Sequence, residues 1–237
     1  VLVTLALGLY TYLKSKRFMR ALLVAFLTYT ILFVLGTFPS WITLGVLSLQ
    51  KSLLSISSSD VAALFLSPEQ VLGRNLTDFR SVLNFKMSLV YGLLALILSC
   101  YTLYQTRKDH FLALARNARL PQLIYHAGLL LLGILLGAYF AEGQVSFEFF
   151  HIIGILSLIV ATWCAWLASV VVNDIYDGAI DRLTNPDRPL VVGTISLREY
   201  QLYGLICFLF SLLLSGIVSF SAMLLLLAYQ ALATLYS

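Results

Sequence analysis

Long runs without a charged residue constrain this chain more than any other feature. No Asp, Glu, Lys or Arg occurs at 21–50, 87–106, 120–141, 149–173 or 200–237. A bilayer core takes about 20 apolar residues as helix, because lipid offers no partner to unpaired backbone groups. Charged residues are 11% of the 237 and hydrophobic ones 60%, whereas a soluble domain carries about 25% charged residues. The fold class is therefore all-α, a polytopic transmembrane helix bundle. An ordinary soluble globule is excluded, and so is disorder, which needs low hydrophobicity and high charge. No nucleic acid partner is expected, since the basic residues do not line a face with aromatics between them. Cys100, Cys164 and Cys207 each sit in an apolar run. Their spacing fits neither a zinc site nor a redox pair, so they read as buried free thiols.

The first gap breaks at Phe38-Pro39-Ser40, leaving one span at 21–38 and a short apolar segment at 41–56 that spans, re-enters or lies on the surface. Further spans are expected at 82–106, 120–141 and 149–174. The last gap is too long for one span. Ser215-Gly216 and Ser219-Phe220-Ser221 divide it into helices near 198–216 and 220–237. In the polar stretch 57–81, Ser57-Ser58-Ser59-Asp60 and Ser67-Pro68-Glu69 both look like helix starts. Asn75-Leu76-Thr77 fits a glycosylation sequon, a short match that chance often supplies.

Basic residues set the orientation. Arg107, Lys108, Arg116 and Arg119 lie between two spans, and Arg182, Arg188 and Arg198 between two others, while 141–148 has Glu142 and Glu148 and no base. The positive-inside rule puts both basic clusters on the cytoplasmic side and 141–148 outside. Lys14, Lys16, Arg17 and Arg20 also favour the inside, which requires that 41–56 not cross fully.

One segment carries the chemistry. Asn173, Asp177 and Asp181 follow an uncharged span at positions i, i+4 and i+8, with Asp174 on the neighbouring stripe. On a continuing helix they share one face. Like charges at that spacing cost about 0.2–0.5 kcal/mol per pair, and charge near a membrane is expensive. No Lys or Arg within 173–181 relieves it, whereas a divalent cation would. Carboxylates plus an amide oxygen are hard donors suited to Mg²⁺ or Ca²⁺. Mg²⁺ takes one or two carboxylates and completes its shell with water and phosphate oxygens. Arg182 and Arg188 stand close enough in sequence to take the remaining phosphate charge. The plain alternative is a solvated acidic loop capping a membrane helix. The regular spacing and the leading Asn weigh against it.

Asn173-Asp174-x-x-Asp177-x-x-x-Asp181, with Arg182, Asn185-Pro186, Arg188-Pro189 and Gly193-x-Ile195-Ser196 after it, resembles the first aspartate-rich motif of the UbiA superfamily of membrane prenyltransferases. The resemblance extends more weakly over 112–237, through Arg119-Leu120-Pro121 and Leu235-Tyr236-Ser237. It implies the amino-terminal half of a UbiA-like domain at 112–237, following a transmembrane region of unclear origin at 1–111. It implies transfer of a prenyl group from a prenyl diphosphate to an aromatic, quinone-type or lipid acceptor within the membrane, with Mg²⁺. Asn173, Asp174, Asp177 and Asp181 would bind the metal, with Asp177 and Asp181 the catalytic pair. Arg182, Asn185 and Arg188 would bind the diphosphate. The family's second aspartate-rich motif has no counterpart here, since nothing after Glu199 is acidic. The chain is accordingly expected to be an incomplete, UbiA-like fragment, inactive alone. Phosphoribosyl transfer to a polyprenyl phosphate, and a non-catalytic cation-binding membrane protein, are the alternative functions.

Lone His110, His126 and His151 are expected to serve packing. Trp163 and Trp166 either line a prenyl tunnel or pack helices. Gly128, Gly133 and Gly137 are expected at a close helix contact.

Overall fold

The computed structural model describes residues 1–72, 74–140 and 148–236. They form two compact units, Val1–Ser67 and Pro68–Ser237. Five helices are long and apolar enough to cross a membrane: Phe18–Gly36, Phe79–Thr106, Leu120–Phe140, Phe149–Tyr176 and Leu197–Val218. The protein is an integral membrane helix bundle, as its charge-free runs require.

In the first unit, α1 (Leu2–Ser15) ends on Lys16 in a left-handed conformation, φ 55°, and packs on α2 (Phe18–Gly36). Gly8 makes that contact close: a Cβ there would stand 3.1 Å from Ala25 Cβ. α3 (Phe38–Leu47), started by Pro39, has 10 residues. At 1.5 Å per residue it is about 15 Å long, half of what a bilayer core needs. The segment at 41–56 therefore does not cross as helix, in line with the charge argument. α4 (Ser58–Leu66) begins at the expected serine run, where the Asp60 carboxylate accepts from the Ser57 backbone N–H at 2.8 Å in a capping box.

The second unit opens differently from expectation. Ser67-Pro68-Glu69 starts no helix; it leads into a small antiparallel hairpin, β1 (Glu69–Val71) and β2 (Arg74–Leu76), with Gln70 opposite Asn75. Val71 and Leu76 are buried. The hairpin leans on Gly154, where an added Cβ would meet Leu72 Cδ1 at 3.0 Å. Burial of alternate apolar residues thus overrides the capping signal. This hairpin is the one departure from an all-α chain among the described residues.

The membrane helices α5 (Phe79–Thr106), α7 (Leu120–Phe140), α8 (Phe149–Tyr176), α11 (Leu197–Val218) and the shorter α12 (Phe220–Tyr236) assemble around α8. Small residues of α8, among them Gly154, Ser157, Ala161, Ala165 and Ala168, are buried along one face. α11 answers with Gly204, Ser211 and Ser215. Small residues let membrane helices approach closely, because lipid gives no hydrophobic drive to associate. α5 closes on α11 through Gly92, where a Cβ would lie 3.0 Å from Leu214 Cδ2. Amphipathic α6 (Lys108–Asn117) joins α5 to α7.

Two smaller expectations resolve here. Trp163 donates its indole N–H to the Leu123 carbonyl at 2.8 Å and Trp166 to the Ala118 carbonyl at 3.2 Å, so the first pins α8 to the start of α7 and the second to the residue that ends α6. Gly128, Gly133 and Gly137 of α7 meet nothing within 4 Å where a Cβ would stand. The expected close packing at these glycines is absent among the described residues, because they lie on open faces of the helix. The connection expected outside, 141–148, falls outside the described residues apart from Glu148.

Candidate active site

The acidic segment sits where α8 ends. Asp177 leaves helical geometry at φ −84°, ψ 7°, and Gly178, a poor helix former, begins the short α9 (Gly178–Thr184). The bend does not destroy the register. The amide of Asp177 donates to the Asn173 carbonyl, that of Asp181 to Asp177 and that of Asn185 to Asp181, each at 2.8 Å. Asn173, Asp177 and Asp181 therefore follow one another at helical spacing across a bend, where a straight helix was expected.

Their side chains divide into two local pairs. Asn173 Nδ2 donates to Asp177 Oδ2 at 2.7 Å. Asn185 Nδ2 donates to Asp181 Oδ1 at 2.7 Å. Asn173 and Asp177 are half-buried and Asp181 is buried. The second oxygen of Asp181, Oδ2, is buried and has no hydrogen-bond partner.

Asp174 is placed apart from this row. It turns into the bundle and is 2% exposed. Its Oδ1 accepts from Arg188 Nη1 in an ion pair. Its Oδ2 accepts from Tyr200 Oη and from Asn117 Nδ2, both at 2.7 Å. Arg188 Nη1 also donates to Asn117 Oδ1 at 3.0 Å. One carboxylate thus ties the end of α8 to the end of α6, to the first turn of α11 and to Arg188, which leads into α10 (Pro189–Val192). A capping box fixes that turn of α11: Ser196 Oγ donates to Glu199 Oε2 at 2.6 Å. Asn117 and Tyr200 were not foreseen. They lie 57 and 26 residues from Asp174, and no local pattern joins them to it.

Arg182 is exposed, as is Asn185 apart from its bond to Asp181. Arg188 is buried and lines a cleft of about 1030 Å³ with Arg116, Arg119, Asn185, Asp109 and Asp187.

Among the described residues, no three His, Cys, Asp or Glu side chains stand close enough to hold a metal by themselves. Mg²⁺ asks for less: one or two carboxylates, with water and phosphate oxygens for the rest. Asp177 and Asp181, with the Asn173 amide, are hard donors of that kind. A buried carboxylate oxygen without a partner is costly unless something polar or cationic meets it, and Asp181 Oδ2 is such an atom. The residues fit the metal.

Residues 130–237 match the family model of the UbiA prenyltransferase family. Over these residues the chain is similar to that family. They contain α8 to α12, and with them the whole acidic segment, Arg188 and Tyr200; α5, α6 and Asn117 precede them. The chain is also 38% identical over 65 residues to a digeranylgeranylglyceryl phosphate synthase of Methanosphaera stadtmanae, a stretch of 26% of this chain and 24% of that protein. The match thus spans about a quarter of the relative's length. No solved structure matches. The resemblance seen in the aspartate motif is thus matched by the family model over 130–237.

Proposed function

We propose that this protein takes part in Mg²⁺-dependent transfer of a prenyl group from a prenyl diphosphate to an acceptor in the membrane, with Asn173, Asp177 and Asp181 at the diphosphate. The observation that carries this reading is the partnerless, buried Oδ2 of Asp181 beside the Asn173–Asp177 pair, within a segment matching a prenyltransferase family. The relative is named for a phosphorylated glyceryl lipid, which favours a lipid acceptor over an aromatic ring.

In such a transfer the bond from the allylic carbon to the diphosphate oxygen breaks and its electron pair leaves with the diphosphate. The acceptor's nucleophilic atom bonds to that carbon and gives up a proton. Mg²⁺, when bound, supplies charge that neutralises the departing diphosphate. Asp177 and Asp181 would hold the metal, with the diphosphate beside them. Asn173 keeps Asp177 oriented through its 2.7 Å hydrogen bond, and Asn185 does the same for Asp181. Arg182 and the free N–H groups of Arg188 meet phosphate oxygens, preorganised donors aimed at charge that grows in the transition state. Asp174 positions: it holds Arg188 and α6 through Asn117. The apolar helices around the site exclude water that would capture an allylic cation. The site lies on the cytoplasmic side, as the arginines at 107–119 and 182–198 indicate. The UbiA-like domain takes in 112–237, and 1–111 adds membrane helices ahead of it.

The test is turnover of the purified full-length protein that carries this chain, with a panel of prenyl diphosphates and glycerol-phosphate or quinone-ring acceptors. Product formation should require Mg²⁺ and fall about 10²-fold or more in Asp177→Ala, the scale seen when one group stabilising transition-state charge is removed. Near-normal turnover by Asp177→Ala, or full activity in EDTA, overturns the reading.

A further inference from the structure

The net charge of this chain is confined to one turn. Val1–Ser67 holds five bases, Lys14, Lys16, Arg17, Arg20 and Lys51, and one acid, Asp60. Lys51 and Asp60 pair with each other at 2.8 Å. Pro68–Ser237 holds ten bases and ten acids, so the whole formal net charge of +4 falls on the seven residues from Lys14 to Arg20. No acid occurs in the first 59 residues to relieve it.

These four bases share the connection between two apolar helices. Lys14 stands in the last turn of α1, Lys16 caps that helix, Arg17 precedes α2 and Arg20 lies in its first turn. Glycine or asparagine fills a left-handed position at least cost, yet at φ 55° this one holds Lys16. The connection is fixed: the Lys16 N–H donates to the Tyr12 carbonyl at 2.7 Å and the Arg17 N–H to Ser15 Oγ at 3.3 Å. All four basic side chains are exposed, and none makes an ion pair among the described residues. Their surroundings select the kind of anion. Tyr10, Tyr12, Leu13, Phe18 and Met19 are exposed beside them, and aromatic side chains next to bases are what the headgroup level of a bilayer favours. Lys14 Nζ lies 5.9 Å from the centroid of the Tyr10 ring. α2 is long and apolar enough to cross a membrane, so its basic end lies at a membrane surface. Clusters of four or more Lys and Arg placed there attract anionic lipid.

We propose that the α1–α2 turn binds the headgroups of anionic membrane phospholipids, with Lys14, Lys16, Arg17 and Arg20 at the phosphates and the exposed Tyr10 and Phe18 against the upper part of the acyl chains. The site anchors the first unit at the cytoplasmic leaflet, the side that the positive-inside rule gives these bases. It stands apart from the transfer reading, since none of its residues belongs to the acidic segment.

The experiment reconstitutes the protein in phosphatidylcholine vesicles doped with spin-labelled phosphatidylglycerol or spin-labelled phosphatidylcholine, and reads by EPR the fraction of each label that the protein immobilises. Wild type should prefer phosphatidylglycerol about fivefold or more, the scale of a basic residue's attraction to a charged bilayer surface. Salt at about 0.5 M should remove most of that preference, because it screens exposed charges. The variant Lys14→Gln/Lys16→Asn/Arg17→Gln/Arg20→Gln, with Asn placed where the backbone is left-handed, should lose the preference. Arg17→Lys/Arg20→Lys, which keeps the charge, should retain it. A charge-matched control in the second unit, Arg80→Gln/Arg107→Gln/Lys108→Gln/Arg198→Gln, should retain it too. If thermal unfolding shows that the first variant does not fold, Lys14→Gln/Arg20→Gln, which leaves the connection itself intact, takes its place and should cut the preference about twofold or more. Equal immobilisation of the two labels by wild type overturns the proposal. So does a preference that the turn variants leave unchanged, or one that the control loses equally. Loss of the preference to an equal concentration of soluble glycerol phosphate reduces the turn to an ion site and overturns it as well.

Discussion

Arg188 donates to Asp174 across 14 residues of chain, and both side chains are buried. The pair closes the acidic segment into a loop anchored at both ends, and the same carboxylate receives Asn117 and Tyr200. Asp174 is therefore a structural hub for the loop that presents Asp177 and Asp181.

Breaking a buried pair leaves the surviving charge uncompensated, at about 3–5 kcal/mol. Asp174→Ala should lower the thermal unfolding midpoint in detergent more than any other single change in this cluster. Tyr200→Phe removes one hydrogen bond to a charged group, about 1.5–3 kcal/mol, and should shift the midpoint less. A midpoint for Asp174→Ala equal to wild type contradicts the hub.

α8 and α11 approach most closely at Gly204, where a Cβ would stand 2.7 Å from Val171 Cγ1. Val is stiff about χ1, so it has little room to yield. Gly204→Ala should destabilise by about 1–3 kcal/mol, as overpacking does, while Gly133→Ala on the open face of α7, where a Cβ meets nothing, should be neutral or slightly stabilising. Thermal unfolding of the two variants side by side checks this. Equal effects would show that the two helices are not packed through this contact.

In the first unit the Lys51 ammonium, 2.8 Å from Asp60, and the Ser57 N–H and hydroxyl hold the Asp60 carboxyl down to about 2 from its ordinary 3.8. A lowered folded-state pKa means the contribution is full above the ordinary value and is lost as pH falls from about 3.8 to about 2. The carboxyl signal of Asp60 in an NMR titration should move near the lower value, and Lys51→Ala should raise it. A midpoint near 4 in both proteins contradicts the pairing.

The spans and the acidic motif were legible because both rest on local spacing: apolar runs of membrane length and acids at helical intervals. What escaped depends on contacts distant in sequence. Asp174 reads as one more metal ligand until its partners 57 and 26 residues away are seen. The glycines of α7 look like a packing stripe by interval alone, and the interval does not say which face meets a neighbour. The start at Ser67-Pro68-Glu69 carries a sound capping signal, yet Val71 and Leu76 are buried as strands of a hairpin, Val71 beside Gly154 of α8. The bend at Asp177 follows from the Gly178 beside it, a residue whose weight against a continuous helix is about 1 kcal/mol, too little to decide from sequence.

The central claim is that Asp181 and Asp177 share a Mg²⁺–diphosphate ligand. The most direct measurement is calorimetric titration of geranylgeranyl diphosphate into wild type, Asp177→Ala and Asp181→Asn, each with Mg²⁺ and with EDTA. Binding should appear only with Mg²⁺ in wild type and be lost in both variants, while Asp181→Asn keeps its unfolding midpoint. Metal-independent binding of equal strength in all three proteins would contradict the account.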